Sequence, residues 1–267
     1  MTGIAAGVRA FAQPPGGLLK PGIFDPLPLA FSDGKYVGQD NLPGEIVEGA
    51  VGLLSCFNLF SWMHGYDFGM RDACLKEAER TAFQGLPAYG LGGYGEASAA
   101  DVFEAGISCS YGNEADPPSA DCACRLAAAA LGGSYRPAKV RADDRTCSNI
   151  ETMVRRTVGF FSGDGTLRRI GFDFGSGYGE RIDSGYGWFL NDTGIWDMTA
   201  SRDPLPSDRT LQLLVRYVLC RDSGDPVLEK VENIGLVNPR LGCAYLTNVS
   251  KIPQDVIQAA EDIIGKR

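Results

Sequence analysis

The sequence predicts an α+β fold with a helical N-terminal half, a mostly antiparallel β C-terminal half and a closing C-terminal helix. Three observations carry this expectation. Residues 45–66, EIVEGAVGLLSCFNLFSWMHGY, form the longest apolar run of the chain, with no formal charge between Glu48 and Asp67. Beyond Tyr135, β-branched and aromatic residues cluster between turn-forming stretches, as they do in strands. The chain then ends on PQDVIQAAEDIIG, where Val256, Ile257, Ala260 and Ile264 share one helical face behind a proline start.

Residues 1–44 come first. The stretch 13–44 is dense in proline and glycine, which block helix and central strand. It reads as an extended arm with apolar anchors at Ile23, Phe24, Leu27, Leu29 and Phe31, packed along its own domain or docked on a partner. Residues 45–140 read as the helical region. Pro43-Gly44 precede the first helix, and Glu45 and Glu48 fall in its first turn, where negative charge suits the helix dipole. Eighteen uncharged residues from Gly49 to Tyr66 reach the lower limit for a membrane span, so the helix is a buried core element or a membrane contact. Further helices are expected over 67–84, near Ser98–Ala105, and over CRLAAAALGG after Ser119 and Asp121.

Residues 141–267 read as the β-rich region. Strands are expected near Thr152–Phe161, Leu167–Phe174, Tyr186–Leu190, Ile195–Thr199, Leu211–Cys220, Leu228–Val237 and Cys243–Val249. Ile170, Phe172 and Phe174 are expected on one face, and Ser162-Gly163-Asp164-Gly165 makes a hairpin turn.

Composition narrows the function classes. A chain of 267 residues suits one large domain or two small ones, and 44% hydrophobic content supplies a core. The net charge of −8 argues against nucleic acid, whose phosphates need a basic face. The single histidine, His64, limits Ser-His-Asp and Cys-His catalysis, and no Walker loop, HExxH, EF-hand or G-x-S-x-G string appears. No catalytic residues are assigned.

Eight cysteines, an even number, favour disulfides in an oxidising compartment, secreted or organellar. The candidates are Cys56, Cys74, Cys109, Cys122, Cys124, Cys147, Cys220 and Cys243. Cys56 with Cys74 would staple the first two helices, and Cys220 with Cys243 would link two expected strands. A Cys₄ metal site is not expected, because C-x12-C-x-C-x22-C matches no standard zinc spacing. Residues 1–12 do not form a signal peptide, so either an export segment is absent from this chain or the thiols are reduced.

The most distinctive β-region string is FDFGSGYGERIDSGYGWFLNDTGIWD. It brings Tyr178, Tyr186, Trp188 and Trp196 near Asp173 and Asp183. Aromatic faces beside carboxylates suit sugar binding, and paired carboxylates suit glycoside hydrolysis. The alternative is hairpin turns with aromatic core plugs.

One resemblance adds a more specific expectation. GIFDPLPLA followed by EIVEGAVGLLS resembles the opening of the first membrane helix of light-harvesting chlorophyll-binding proteins. Phe24, Asp25, Pro26, Leu27, Leu29 and Ala30 match the turn, and Glu45, Gly49 and Leu54 match the helix. Glu48 stands in place of the pigment-ligating histidine and Ala50 in place of the ion-pairing arginine, and no second copy of the motif follows. The resemblance implies an accessory subunit of a photosynthetic membrane complex, partnered by other subunits, associated with thylakoids and in contact with chlorophyll or carotenoid. The expected class is therefore a non-enzymatic binding or assembly protein, with a lectin-like sugar binder and a carboxylate-based hydrolase as alternatives.

Overall fold

A computed structural model describes residues 3–29, 36–64, 117–131, 135–163 and 167–266. The fold is α+β as expected, with helices dominating the N-terminal half, a mostly antiparallel sheet in the C-terminal half and a helix closing the chain. The described helices are α1 (Ile4–Ala10), α2 (Gly44–His64), α3 (Pro117–Ala130), α4 (Asp144–Gly163), α5 (Ser207–Arg221) and α6 (Gln254–Ile264). The strands are β1 (Asp25–Pro28), β2 (Leu167–Phe172), β3 (Gly187–Asn191), β4 (Ile195–Met198), β5 (Asn233–Asn238) and β6 (Cys243–Asn248). They form one sheet in the order β1-β6-β5-β4-β3-β2. Only β4 and β5 run parallel, and the crossover that joins them contains α5.

The sheet is covered on both faces. Trp196, Met198, Val237 and Ala244 point into a core shared with α2, α3 and α4. Ile195, Ile234 and Leu236 point the other way, into a core shared with α1, α5 and α6. The alternation follows the two-residue strand period. In β2 it is interrupted: Gly171 has φ +55°, so Ile170 joins the first core while Phe172 and Phe174 join the second. The shared face expected for all three is corrected accordingly.

Two expected strands are helices. Residues 152–161 lie within α4, whose buried Cys147, Ile150, Met153, Val154, Thr157, Phe160 and Phe161 keep helical spacing. An N-terminal cap is supplied by Asp143 Oδ1, which accepts the Thr146 N–H at 2.8 Å. Residues 211–220 lie within α5, buried along almost its whole length. Since α4 continues through Gly163, the hairpin turn expected from Ser162 does not start there. The closing helix α6 begins after Pro253 and ends at Gly265, in the left-handed region at φ +82°.

The arm belongs to the fold. Phe24 and Leu29 are buried, Leu27 packs against the α2-side core, and β1 forms the sheet edge against β6. These three anchors pack against the chain's own interior. The segments 1–44, 45–140 and 141–267 likewise share cores: Leu29, Val37, α2, α3, α4 and the five strands β2 to β6 meet in one cluster. The buried Arg240 fastens the arm further, donating to Ala200 O at 2.6 Å and Gly38 O at 2.6 Å while pairing with Asp40. Phe31, Cys74, Cys109 and the helices expected over 67–84 and 98–105 lie outside the described residues. Among the described residues no helix is long and apolar enough to cross a membrane. α2 is a core helix, with Ile46, Val47, Ala50, Val51 and Leu54 all buried.

Candidate functional site

At the end of the sheet formed by the carboxyl ends of β2 and β4, a cleft of about 420 Å³ opens between α2, α3 and the start of α5. Crevices at carboxyl ends of strands, beside a crossover, are where open α/β sheets hold ligands. The volume suits a small molecule. Leu53, Ala127, Trp188 and Met198 give the cleft apolar walls, while Glu48, Arg209 and Gln212 give it polar ones.

Glu48 organises the polar side. Its Oε2 accepts Thr199 Oγ1–H at 2.8 Å and the Ala200 N–H at 2.9 Å, and its Oε1 pairs with Arg209. One carboxylate therefore ties α2 to the end of β4 and to the first turn of α5. Burial pushes the Glu48 carboxyl above its usual range; Arg209 and the hydrogen bonds from Ala200 and Thr199 oppose that rise, and nearby Asp197 adds to it. Behind it, Asp197 is fully buried and accepts Arg216 Nη1–H at 2.6 Å, while Arg216 Nε donates to Tyr186 O at 2.8 Å. Each interior carboxylate is thus matched by a guanidinium from α5.

The aromatic residues singled out by sequence separate into two groups. Tyr186 and Trp188 are half-buried and line the cleft. Trp188 rests against α2 at Gly52, where a Cβ would lie 2.7 Å from the ring. Trp196 is a fully buried core plug: its Nε1 donates to Asn191 Oδ1 at 2.9 Å and its ring meets Phe160 edge-on. Tyr178 lies outside the cleft lining, its hydroxyl donating to Gly185 O at 2.6 Å. Asp173 and Asp183 are exposed, and Asp173 closes a local turn by accepting the Gly175 N–H. Neither carboxylate lines this cleft, which takes in Tyr186 and Trp188 of the residues singled out by sequence. The carboxylate in the cleft is Glu48 instead.

The cysteines do not form the expected framework within the described residues. Cys220 sits on α5 and Cys243 on β6, and both are free thiols, so the strand-to-strand link between them is absent. Cys56 and Cys124 are also buried free thiols, and burial pushes their pKa values, and that of Cys220, far above the usual thiol range. Cys56 borders the cleft as a protonated, weakly nucleophilic group. Among the described residues no cluster of histidine, cysteine or carboxylates could hold a metal ion.

Glu48, Arg209 and Gln212 were not legible as a site. The nearest signal was Glu48 itself, an ionisable residue on a helical stripe with Val47 and Val51. Set against family models, curated proteins and solved structures, the chain finds no match.

Proposed function

We propose that this is a non-enzymatic binding protein that holds a small molecule in the cleft between α2 and α5. The observation that carries the reading is Trp188, an aromatic side chain left half-buried on the wall of a cleft that also presents Leu53, Ala127 and Met198 and whose part-buried charges, Glu48 and Arg209, are paired. A held aromatic ring supplies contact area at little conformational cost. Catalysis is less well supported. Glu48 carries three hydrogen-bonding partners, Asp197 is closed off by Arg216, and the Cys56 thiol is protonated. The hydrolase alternative has less support in this cleft, since Asp173 and Asp183 are exposed and neither lines it.

Assembly into a photosynthetic membrane complex, with pigment contact, rests on the resemblance in residues 22–30 and 45–55 alone. Several of those residues have jobs inside this fold: Phe24, Leu29 and Leu54 fill cores, and Gly49 lets α2 approach α3.

The test is thermal unfolding of the full chain against a library of metabolite-sized probes, repeated with Trp188→Ala. A ligand at 100 times its Kd raises stability by about 2.7 kcal/mol. At least one probe is expected to raise the melting temperature of the native chain and to lose that effect in Trp188→Ala. A library without effect, or an effect that survives Trp188→Ala, removes the cleft from consideration.

A further inference from the structure

We infer that the occupant of the cleft is a neutral sugar ring, stacked on Trp188 and anchored by the side-chain amide of Gln212; this deepens the binding-protein reading and rests on it. Gln212 lies on α5 one turn beyond Arg209, is only 4% exposed, and lines the cleft. No described residue hydrogen-bonds its side-chain amide. Ser55 Oγ and Asn58 Oδ1 are buried without partners among the described residues, but the Gln212 amide is not sealed and keeps its access to the cleft. A glutamine amide both donates and accepts, and a hydroxyl is the small group that can answer both functions. A ligand that covers this amide without replacing the hydrogen bonds open to it is penalised, so a hydroxyl that meets both its functions is favoured.

The pairing of the interior charges favours a neutral ligand. Glu48 is neutralised by Arg209 inside the cleft. Arg9, Glu45 and Asp208 lie at its rim and are exposed to solvent. A charged ligand deep in the cleft would surrender hydration beside the already paired Glu48 and Arg209, and the exposed rim charges are screened by solvent. Trp188 supplies the complementary surface, a flat ring braced by Gly52 on which the C–H face of a sugar can lie while its hydroxyl edge turns to Gln212.

The experiment is competitive titration of the full chain, with tryptophan fluorescence and saturation-transfer NMR as readouts. The probes are glucose, galactose, mannose and N-acetylglucosamine, with glucosamine and glucuronate as charged counterparts. Benzamide serves as a neutral aromatic amide and N-phenyl-1-naphthylamine as a neutral apolar reporter. A neutral sugar is expected to bind and to displace the reporter, with its charged counterparts weaker. Gln212→Leu is expected to weaken that sugar by about tenfold, the loss of one hydrogen bond to a ligand. Gln212→Glu, which keeps the volume and adds a charge, is expected to weaken it as well, and near-UV circular dichroism checks that either variant is folded. Displacement by benzamide and by no sugar overturns the sugar assignment while leaving the binding cleft intact. A reporter that does not bind, together with no sugar binding, overturns both readings. Sugar binding unchanged in folded Gln212→Leu and Gln212→Glu overturns the anchor.

Discussion

On the face of the sheet covered by α1, α5 and α6, the interior is built from large aliphatic side chains, among them Leu211, Leu214, Leu219, Ile257 and Ile264. On the face covered by α2, α3 and α4, much of the helix contact is made by Gly49, Ala50, Ala120, Ala123 and Ala127. The second face also buries Trp196, Phe161 and Phe189 completely, but its helices α2 and α3 approach closely where Gly49 meets Ala127. The cleft opens at the end of that helix pair, between α2, α3 and the start of α5. The same face holds Ser55 Oγ and Asn58 Oδ1, buried without partners among the described residues. The difference teaches that the two faces divide the packing between aliphatic filling and close helix approach, while the cleft at the sheet's end draws its walls from both, from α2 and α3 on one side and from the start of α5 on the other.

The largest expected effect tests the filled face. Leu214→Ala leaves a cavity in the α5 layer and is expected to cost about 2–5 kcal/mol in denaturant unfolding, with the cleft unaffected because Leu214 does not line it. A loss of ligand binding in that variant at temperatures where it is folded would tie the cleft to the aliphatic filling. Smaller in energy but larger in function is Gly49→Ala. Its new Cβ would stand 2.8 Å from the Cβ of Ala127, so α2 and α3 must part, at a cost of about 1–3 kcal/mol. Ligand affinity should fall with it, and an unchanged affinity would detach the cleft from the spacing of the two helices.

The smallest effects separate the faces by pH. Asp222, beside α5, is held down at about 2 by hydrogen bonds from Arg221 and Lys266. Its folded value lies below its unfolded value, so its contribution is present above pH about 4 and fades as pH falls towards 2. Glu48 shifts the opposite way: burial raises its folded value, so its contribution is full at low pH and declines as pH rises through the raised value. Stability measured against pH should therefore lose its acid slope in Asp222→Asn and lose its decline above the ordinary carboxylate range in Glu48→Gln. Identical pH profiles for both variants and the native chain would show that neither carboxylate distinguishes the faces.

Much of this architecture could be read from the chain. The closing helix follows its apolar stripe behind Pro253, and β2, β3, β4 and β6 follow their clusters of Ile, Phe, Trp and Leu between turns. Residues 152–161 and 211–220 misled for related reasons. Thr152-Met153-Val154 and Thr157-Val158-Gly159-Phe160-Phe161 carry strand-like residue types, but the burial of Ile150, Met153, Val154, Thr157 and Phe161 repeats at three and four. Leu211–Cys220 is buried almost throughout, so no polar stripe reveals its helical period. The site was half legible. Tyr186 and Trp188 stood out as an aromatic pair in a glycine-rich string, whereas Glu48 meets Thr199 across a separation of 151 residues, a distance over which local pattern carries no information.

The edge strand β1 pairs with β6, and Asp25 meets Lys251, 226 residues further along the chain, at 2.8 Å. During synthesis the arm must therefore wait for the 226 residues that separate Asp25 from Lys251 before its partner strand exists. Pairing of this kind forms late and slowly, since a long loop has to close before any contact rewards it. Pro26 and Pro28 suit a strand that spends this interval unpaired, because a proline-bearing edge is a poor template for another chain. The docking of β1 is thus a final fastening, and its arrival is what covers the open edge of β6.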